Sequence, residues 1–172
     1  VPLLSVGGPG RAGDVRPFLR RVTAGRGIPD DRLTAVAAQY EAFGGKSPIN
    51  DQNKELVRLL EATLNSGVER DDPRFLPVYW GNRNWEPLLP DTLRQMRADG
   101  IDRAAVVITS GYSSYSGCRQ YRENLYDAVA ELVADGQGAP PELAKIRRWF
   151  DQPAFIDVMT DNVLSAIDSL ND

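Results

Sequence analysis

A three-layer α/β/α domain built on a four-stranded, parallel, doubly wound sheet is the fold class this sequence predicts, on three observations. From Leu76 onward, short apolar runs alternate with amphipathic segments of helical length. Such alternation marks β-α-β units, whose strands run parallel and whose crossover helices cover the sheet. The chain has 172 residues with 42% hydrophobic and 26% charged content, ordinary for one globular domain with a sizeable core. No repeat, internal linker or low-complexity tract divides it.

Each element has its own justification. Pro2–Val6 is a short apolar strand broken by Gly7-Gly8-Pro9-Gly10. Asp14 is placed to cap a helix that carries Val15, Phe18, Leu19 and Val22 on one face. Leu33, Val36, Ala37 and Tyr40 mark a second helix, which Gly44-Gly45 stops. Asp51 is placed to cap a third, with Leu56, Val57, Leu60 and Leu64 directed inward. Asn65–Arg74 is polar and reads as a surface loop. Leu76–Trp80 is a strand, and Pro90–Asp99 a helix with proline in its first turn and Gly100 past its end. Ala105–Thr109 is apolar and β-branched, the mark of a strand buried on both faces. Gln120–Val133 is a helix aligned on Leu125, Val129 and Leu132, and Leu143–Arg148 a weaker strand. Ile156, Met159, Val163, Ile167 and Leu170 form a full apolar stripe on a last helix.

Composition narrows the function. A net charge of −4 argues against a general nucleic-acid binder, which needs excess Lys and Arg to neutralise phosphates. The apolar runs are too short to span a bilayer, so no transmembrane segment is expected. No secretory leader opens the chain, and one cysteine forms no intramolecular disulfide, so a cytoplasmic location is expected. With no histidine, the chain holds neither a Ser-His-Asp triad nor a histidine-based zinc site. The opening at Val1, inside an apolar run, reads as a trimmed N-terminus.

Five segments carry the groups that meet ligands. The loop after Thr109 is dense in hydroxyls and aromatics (Ser110, Tyr112, Ser113, Ser114, Tyr115, Ser116), followed by Cys118 and Tyr121 at a helix start. Loops at the carboxyl ends of parallel strands are where α/β sheets bind ligands, and this one suits a large flat ligand with polar edges. A solvated loop with tyrosines packed on the sheet fits as well. Gly7–Gly13 brings backbone N–H groups to a helix N-terminus, but it lacks both GxxxxGK[ST] and GxGxxG spacing. It serves equally as a tight turn. Arg11, Arg16, Arg20, Arg21 and Arg26 crowd one region, suited to a carboxylate ligand or to a solvated helix face. In Tyr79–Pro87, two tryptophans, two asparagines and Arg83 stand at a strand end, to flank a planar ligand or to pack beneath a neighbouring loop. Ser47, held extended before Pro48, has a hydroxyl free to donate.

Together these segments resemble one family. GGPG near the start, VTAGRGIP at 22–29, FGGKSPIN at 43–50, LPVYWGNRNWEP at 76–87 and TSGYSSYSGCRQY at 109–121 occur in order and at matching spacing. The chain resembles the N-terminal half of ferrochelatases, most closely the actinobacterial coproporphyrin type, over essentially its whole length. The resemblance implies a chelatase-like domain of flavodoxin-like topology over residues 1–172. It also implies a similar second domain, the C-terminal catalytic half, that this chain does not contain, with the macrocycle in the cleft between the two. The implied reaction is insertion of Fe(II) into coproporphyrin III on the route to haem.

By the same resemblance, Ser47 matches a serine, and Tyr121 a tyrosine, that contact the propionates of the bound tetrapyrrole; the Tyr121 match carries a one-residue offset against Firmicutes members. Val6 falls where Firmicutes members place a tyrosine beside the metal, and valine cannot ligate iron. Cys118 matches one ligand of a [2Fe–2S] cluster whose other three cysteines lie near the C-terminus of the full-length enzyme. The metal-binding histidine and its glutamate partner also belong to the C-terminal half, so no catalytic residue is expected within this chain. Partners are then coproporphyrin III, ferrous iron and the C-terminal half, and the isolated chain is expected not to metalate porphyrin. The alternatives are a non-enzymatic tetrapyrrole-binding module and an anion-binding flavodoxin-like domain using Gly7–Gly13.

Overall fold

The structure, a computed structural model, describes residues 1–136 and 138–171. Its elements are β1 (Pro2–Ser5), α1 (Val15–Val22), α2 (Asp30–Ala42), α3 (Ile49–Leu64), β2 (Tyr79–Asn82), α4 (Leu89–Ala98), β3 (Arg103–Ile108), α5 (Gln120–Ala134), β4 (Glu142–Lys145) and α6 (Pro153–Asn171). A 3-10 turn at Ala12–Asp14 precedes α1, and a π-helical turn at Tyr115–Arg119 leads into α5. The four strands form one parallel sheet in the order β2-β1-β3-β4. Ser5 pairs with Asn82 and Leu4 with Ile108, so β1, β2 and β3 end nearly level. The sheet and helix layers make a three-layer α/β/α fold, as the alternation predicted.

The main core lies on one face. Leu4, Val106 and Ile108 from the sheet meet Leu89, Leu93 and Met96 of α4 and Tyr121, Ala128 and Leu132 of α5. Each large aliphatic group so enclosed contributes about 2 kcal/mol relative to exposure. Gly81 lets α4 close on β2, because a Cβ there would lie 2.9 Å from Thr92 Oγ1. Val15, Phe18 and Leu19 of α1 form a second cluster with Ala37 of α2, edged by Tyr40 and Trp85. Gly44 and Gly45 end α2 in left-handed conformations (φ 79° and 68°) that favour glycine.

Three expectations are corrected. Only half of the apolar set of α3 faces inward: Val57 and Leu60 are half-buried beside the buried Asn50, Asn53 and Asn65, whereas Leu56 and Leu64 are exposed. This helix lies over loop ends and the entry to β2, where main-chain groups lack strand partners and amides satisfy them. Asn65 bonds both backbone groups of Leu76, and Glu61 accepts from Val78 N–H. Asp14 does not cap α1; its carboxylate accepts from Gly10 N–H and Arg11 Nε. β3 is buried on one face only. Val106 and Ile108 are enclosed, but Ala105 and its neighbour Ala144 are exposed, with no helix over that half of the sheet among the described residues. The α6 stripe forms as patterned and stays uncovered, with Val163 56% and Leu170 85% exposed. Among the described residues, no helix is long and apolar enough to cross a membrane.

Candidate functional site

The chemistry gathers at the carboxyl edge of β2, β1 and β3. Beyond Ser5, β1 continues through Val6 into Gly7–Gly13, and its end is tied to the chain after β2. Arg83 N–H donates to Ser5 O at 3.1 Å and Asn84 N–H to Val6 O at 3.2 Å. Val6 is 36% exposed at this edge. Asn82 is buried; its Oδ1 accepts from Trp80 Nε1 and its Nδ2 donates to Glu86 O. Trp80 is thereby a packing residue, while Trp85 stands edge-on to Phe18 at 6.0 Å with the Arg21 guanidinium over its ring.

Ser47 reaches this edge from the α2–α3 loop. Its N–H donates to Pro9 O at 2.9 Å, and its Oγ accepts weakly from Ile49 N–H at 3.4 Å. The hydroxyl proton is therefore free to donate to a ligand. Contact with the glycine loop is close: a Cβ on Gly8 would lie 2.7 Å from Ser47 Cβ, and one on Gly45 2.5 Å from Ala12 Cα. Beside Ser47 opens a hollow of about 280 Å³ lined by Gln39, Tyr40, Phe43, Lys46 and Pro48, with Phe43 86% exposed.

Tyr121 sits lower than its expected role implies. At the start of α5 it is only 4% exposed and belongs to the main core. The side chains of Arg83 and Thr109 approach its hydroxyl, and the Arg83 guanidinium stacks over its ring at 4.9 Å. Burial pushes the phenol above its ordinary value, against the pull of Arg83 and Thr109. Arg83 also donates to Ser116 O, and its Nε is buried without a partner. A second hollow, about 220 Å³, opens beside Arg83, Asn82 and Asn124. Arg83 lines this hollow and Tyr121 does not.

The remaining expected groups separate. The Gly7–Gly13 loop is a poor phosphate cradle, because Gly8 N–H is taken by Asn50 Oδ1 and Gly10 N–H by Asp14 Oδ2. Arg11 and Arg21 pair with Asp14 and Glu86, and Arg16 approaches Thr34 Oγ1. Most of this arginine group is a solvated helix face. Cys118 lies half-buried in the π-helical turn as the only thiol of the chain. A [2Fe–2S] centre needs about four thiolates, so the residues of this chain do not fit a cluster on their own. Among the described residues, no three His, Cys, Asp or Glu side chains converge to hold a metal ion. A further hollow, about 530 Å³, is an open groove on the first turns of α5, lined by Arg119, Arg122, Glu123, Tyr126 and Asp127.

Sequence reasoning quoted Asn50 without assigning it a role. Both of its amide atoms bond the backbone of Gly8, 42 residues away. An asparagine two residues after a proline at a helix start reads as part of a helix entry, and only the tertiary pairing distinguishes it.

The chain is thus an α/β domain of the doubly wound class that gathers hydroxyls, a guanidinium and aromatic faces at the carboxyl ends of its central strands, the edge where such sheets bind ligands. A ferrochelatase family model matches residues 1–172, and the chain belongs to the ferrochelatase family. It is 52% identical over 168 residues to a coproporphyrin III ferrochelatase of Frankia alni, which covers 98% of this chain and 40% of that protein. It is 51% identical over 169 residues to one of Streptomyces coelicolor, covering 98% of this chain and 43% of that protein. A ferrochelatase of Rhodopirellula baltica is 47% identical over 169 residues, with 98% and 45% covered. The chain thus spans less than half the length of these relatives.

Proposed function

We propose that this chain is the porphyrin-binding N-terminal domain of an enzyme that inserts ferrous iron into coproporphyrin III in the cytoplasm, a step of haem biosynthesis. The observation that carries the reading is the convergence at the end of β1. There a hydroxyl with a free proton (Ser47) and a guanidinium stacked on a buried tyrosine (Arg83 on Tyr121) share one sheet edge. Relatives named coproporphyrin III ferrochelatase support the substrate.

Metalation exchanges the two pyrrole N–H protons of the macrocycle for one Fe(II), so two protons must leave as the metal–nitrogen bonds form. The ring must also leave planarity to expose its nitrogen lone pairs. This chain contributes binding to that process. Ser47 and the Arg83–Tyr121 pair receive propionate carboxylates through charge-assisted hydrogen bonds. Val6 offers an apolar contact where it cannot ligate the substrate metal. Fixing the propionates lets remote binding energy offset the distortion at the reacting centre. Proton acceptors and metal-guiding groups, a histidine and a glutamate, come from the remainder of the longer protein. Any [2Fe–2S] cluster there would combine Cys118 with three thiolates outside this chain.

Iron insertion into coproporphyrin III, followed by the change in the Soret band, tests the division of labour. The full-length protein is expected to turn over and the 172-residue chain to show no insertion above the uncatalysed background. Turnover by the isolated chain near that of the full-length protein would overturn it.

A further inference from the structure

The register between the two loops that meet at Ser47 is set by one side chain. Asn50, in the first turn of α3, is 8% exposed. Gly8 N–H donates to its Oδ1 at 3.2 Å, and its Nδ2 donates to Gly8 O at 2.6 Å. The amide therefore acts as an added strand partner at the end of β1, satisfying both backbone groups of one residue. Among the described residues it is the only side chain of the 43–50 segment that bonds the 7–13 loop. Ser47 is linked to that loop by its own backbone, through Pro9 O, and packs on Gly8 with no room for a methyl group. With Asn50 removed, Ser47 N–H to Pro9 O is the one hydrogen bond described between the two loops, beside the weak local bond from Ile49 N–H to Ser47 Oγ and the close packing at Gly8 and Gly45.

We propose that Asn50 is a positioning residue, which fixes the Ser47 hydroxyl at the end of β1 for a carboxylate of the ligand. The inference rests on the reading of Ser47 as a propionate contact. Asn50 touches no ligand itself; it acts by holding Gly8, and through Gly8 the loop that carries Ser47.

A double-mutant cycle in the full-length protein tests it, with coproporphyrin III affinity read by Soret titration. Ser47→Ala is expected to weaken binding about tenfold, the scale of one hydrogen bond to a charged group. Asn50→Ala is expected to weaken binding by a similar factor in the wild-type background and by less than twofold in the Ser47→Ala background. Asn50→Asp keeps the size and the acceptor for Gly8 N–H while removing the donor, and it carries the same cycle if Asn50→Ala fails to fold. Stability by urea unfolding is measured alongside. A purely structural role lowers the unfolding midpoint and leaves the affinity of the folded protein unchanged, which overturns the proposal. Independent, multiplicative losses in the double variant also overturn it. An unchanged affinity in Ser47→Ala overturns the Ser47 reading first and the inference with it.

Discussion

Gly8→Ala is the substitution whose consequence the geometry fixes most closely. Gly8 has no left-handed backbone, so alanine brings no conformational strain, and the effect is purely steric. The new Cβ would lie 2.7 Å from Ser47 Cβ, 2.8 Å from Ser47 Oγ and 3.0 Å from Ile49 Cγ2. Carbon atoms rest at about 3.5–4.0 Å, so the loops must part by several tenths of an ångström or more. Parting them strains three cross-loop bonds: Ser47 N–H to Pro9 O and the two between Asn50 and Gly8. At about 1 kcal/mol each, their full loss sets a ceiling near 3 kcal/mol, and overpacking in general costs about 1–3 kcal/mol. Urea unfolding of Gly8→Ala is expected to show a loss in that range, with weakened coproporphyrin binding by the full-length protein. Gly13→Ala is the control, because a Cβ there meets nothing within 4 Å. A Gly8→Ala protein as stable and as tight-binding as Gly13→Ala would refute the interlocked-loop account.

Three further outcomes follow from named contacts. Leu93, fully buried between α4 and the sheet, should lose about 3 kcal/mol on change to alanine, roughly 10 °C in Tm by thermal denaturation. A shift within experimental error would contradict its place in the core. Tyr79 donates to Asp99 at 2.7 Å, and burial first, then that carboxylate, holds its phenol above the ordinary value. The folded state therefore binds this proton more tightly than the unfolded chain. Its contribution is complete below the unfolded value near pH 10 and is lost as pH rises from there through the folded value. Tyr79→Phe should thus lose less stability than wild type between about pH 9 and pH 11, and parallel losses would remove the argument. Tyr121→Phe strips the hydroxyl approached by Arg83 and Thr109, and should cost about 1 kcal/mol of stability together with ligand affinity. Unchanged affinity would remove Tyr121 from the site.

How much was legible beforehand depends on the kind of signal. Apolar spacing foreshadowed β1, β3, α4 and α5, which bury the residues that periodicity marks, whereas β2 lies at Tyr79–Asn82, shifted from the expected Leu76–Trp80. Where the buried partner is main chain, periodicity misleads. Leu56, Leu59 and Leu64 of α3 are exposed because Asn50, Glu61 and Asn65 take the inward face with backbone groups to satisfy, and no hydrophobic count records that demand. The α6 stripe reads correctly as a helix face, but a stripe states only that something covers it, not that this chain does. At the site, Ser47 was visible through its place before Pro48 and its family motif. The screening of Tyr121 by Arg83 was not, since it depends on β2 and α5 being brought together across β1 and β3. Asn50 was hidden for the same reason.

The central claim is that the loops at the end of β1 form one wall of a porphyrin site, with propionates received by Ser47 and by the Arg83–Tyr121 pair. A crystal structure of the full-length protein with coproporphyrin III bound tests it most directly. The account predicts a propionate carboxylate within hydrogen-bonding distance of Ser47 Oγ, another at Arg83, and the macrocycle facing Val6. A macrocycle bound with its propionates remote from both Ser47 and Arg83 would contradict it.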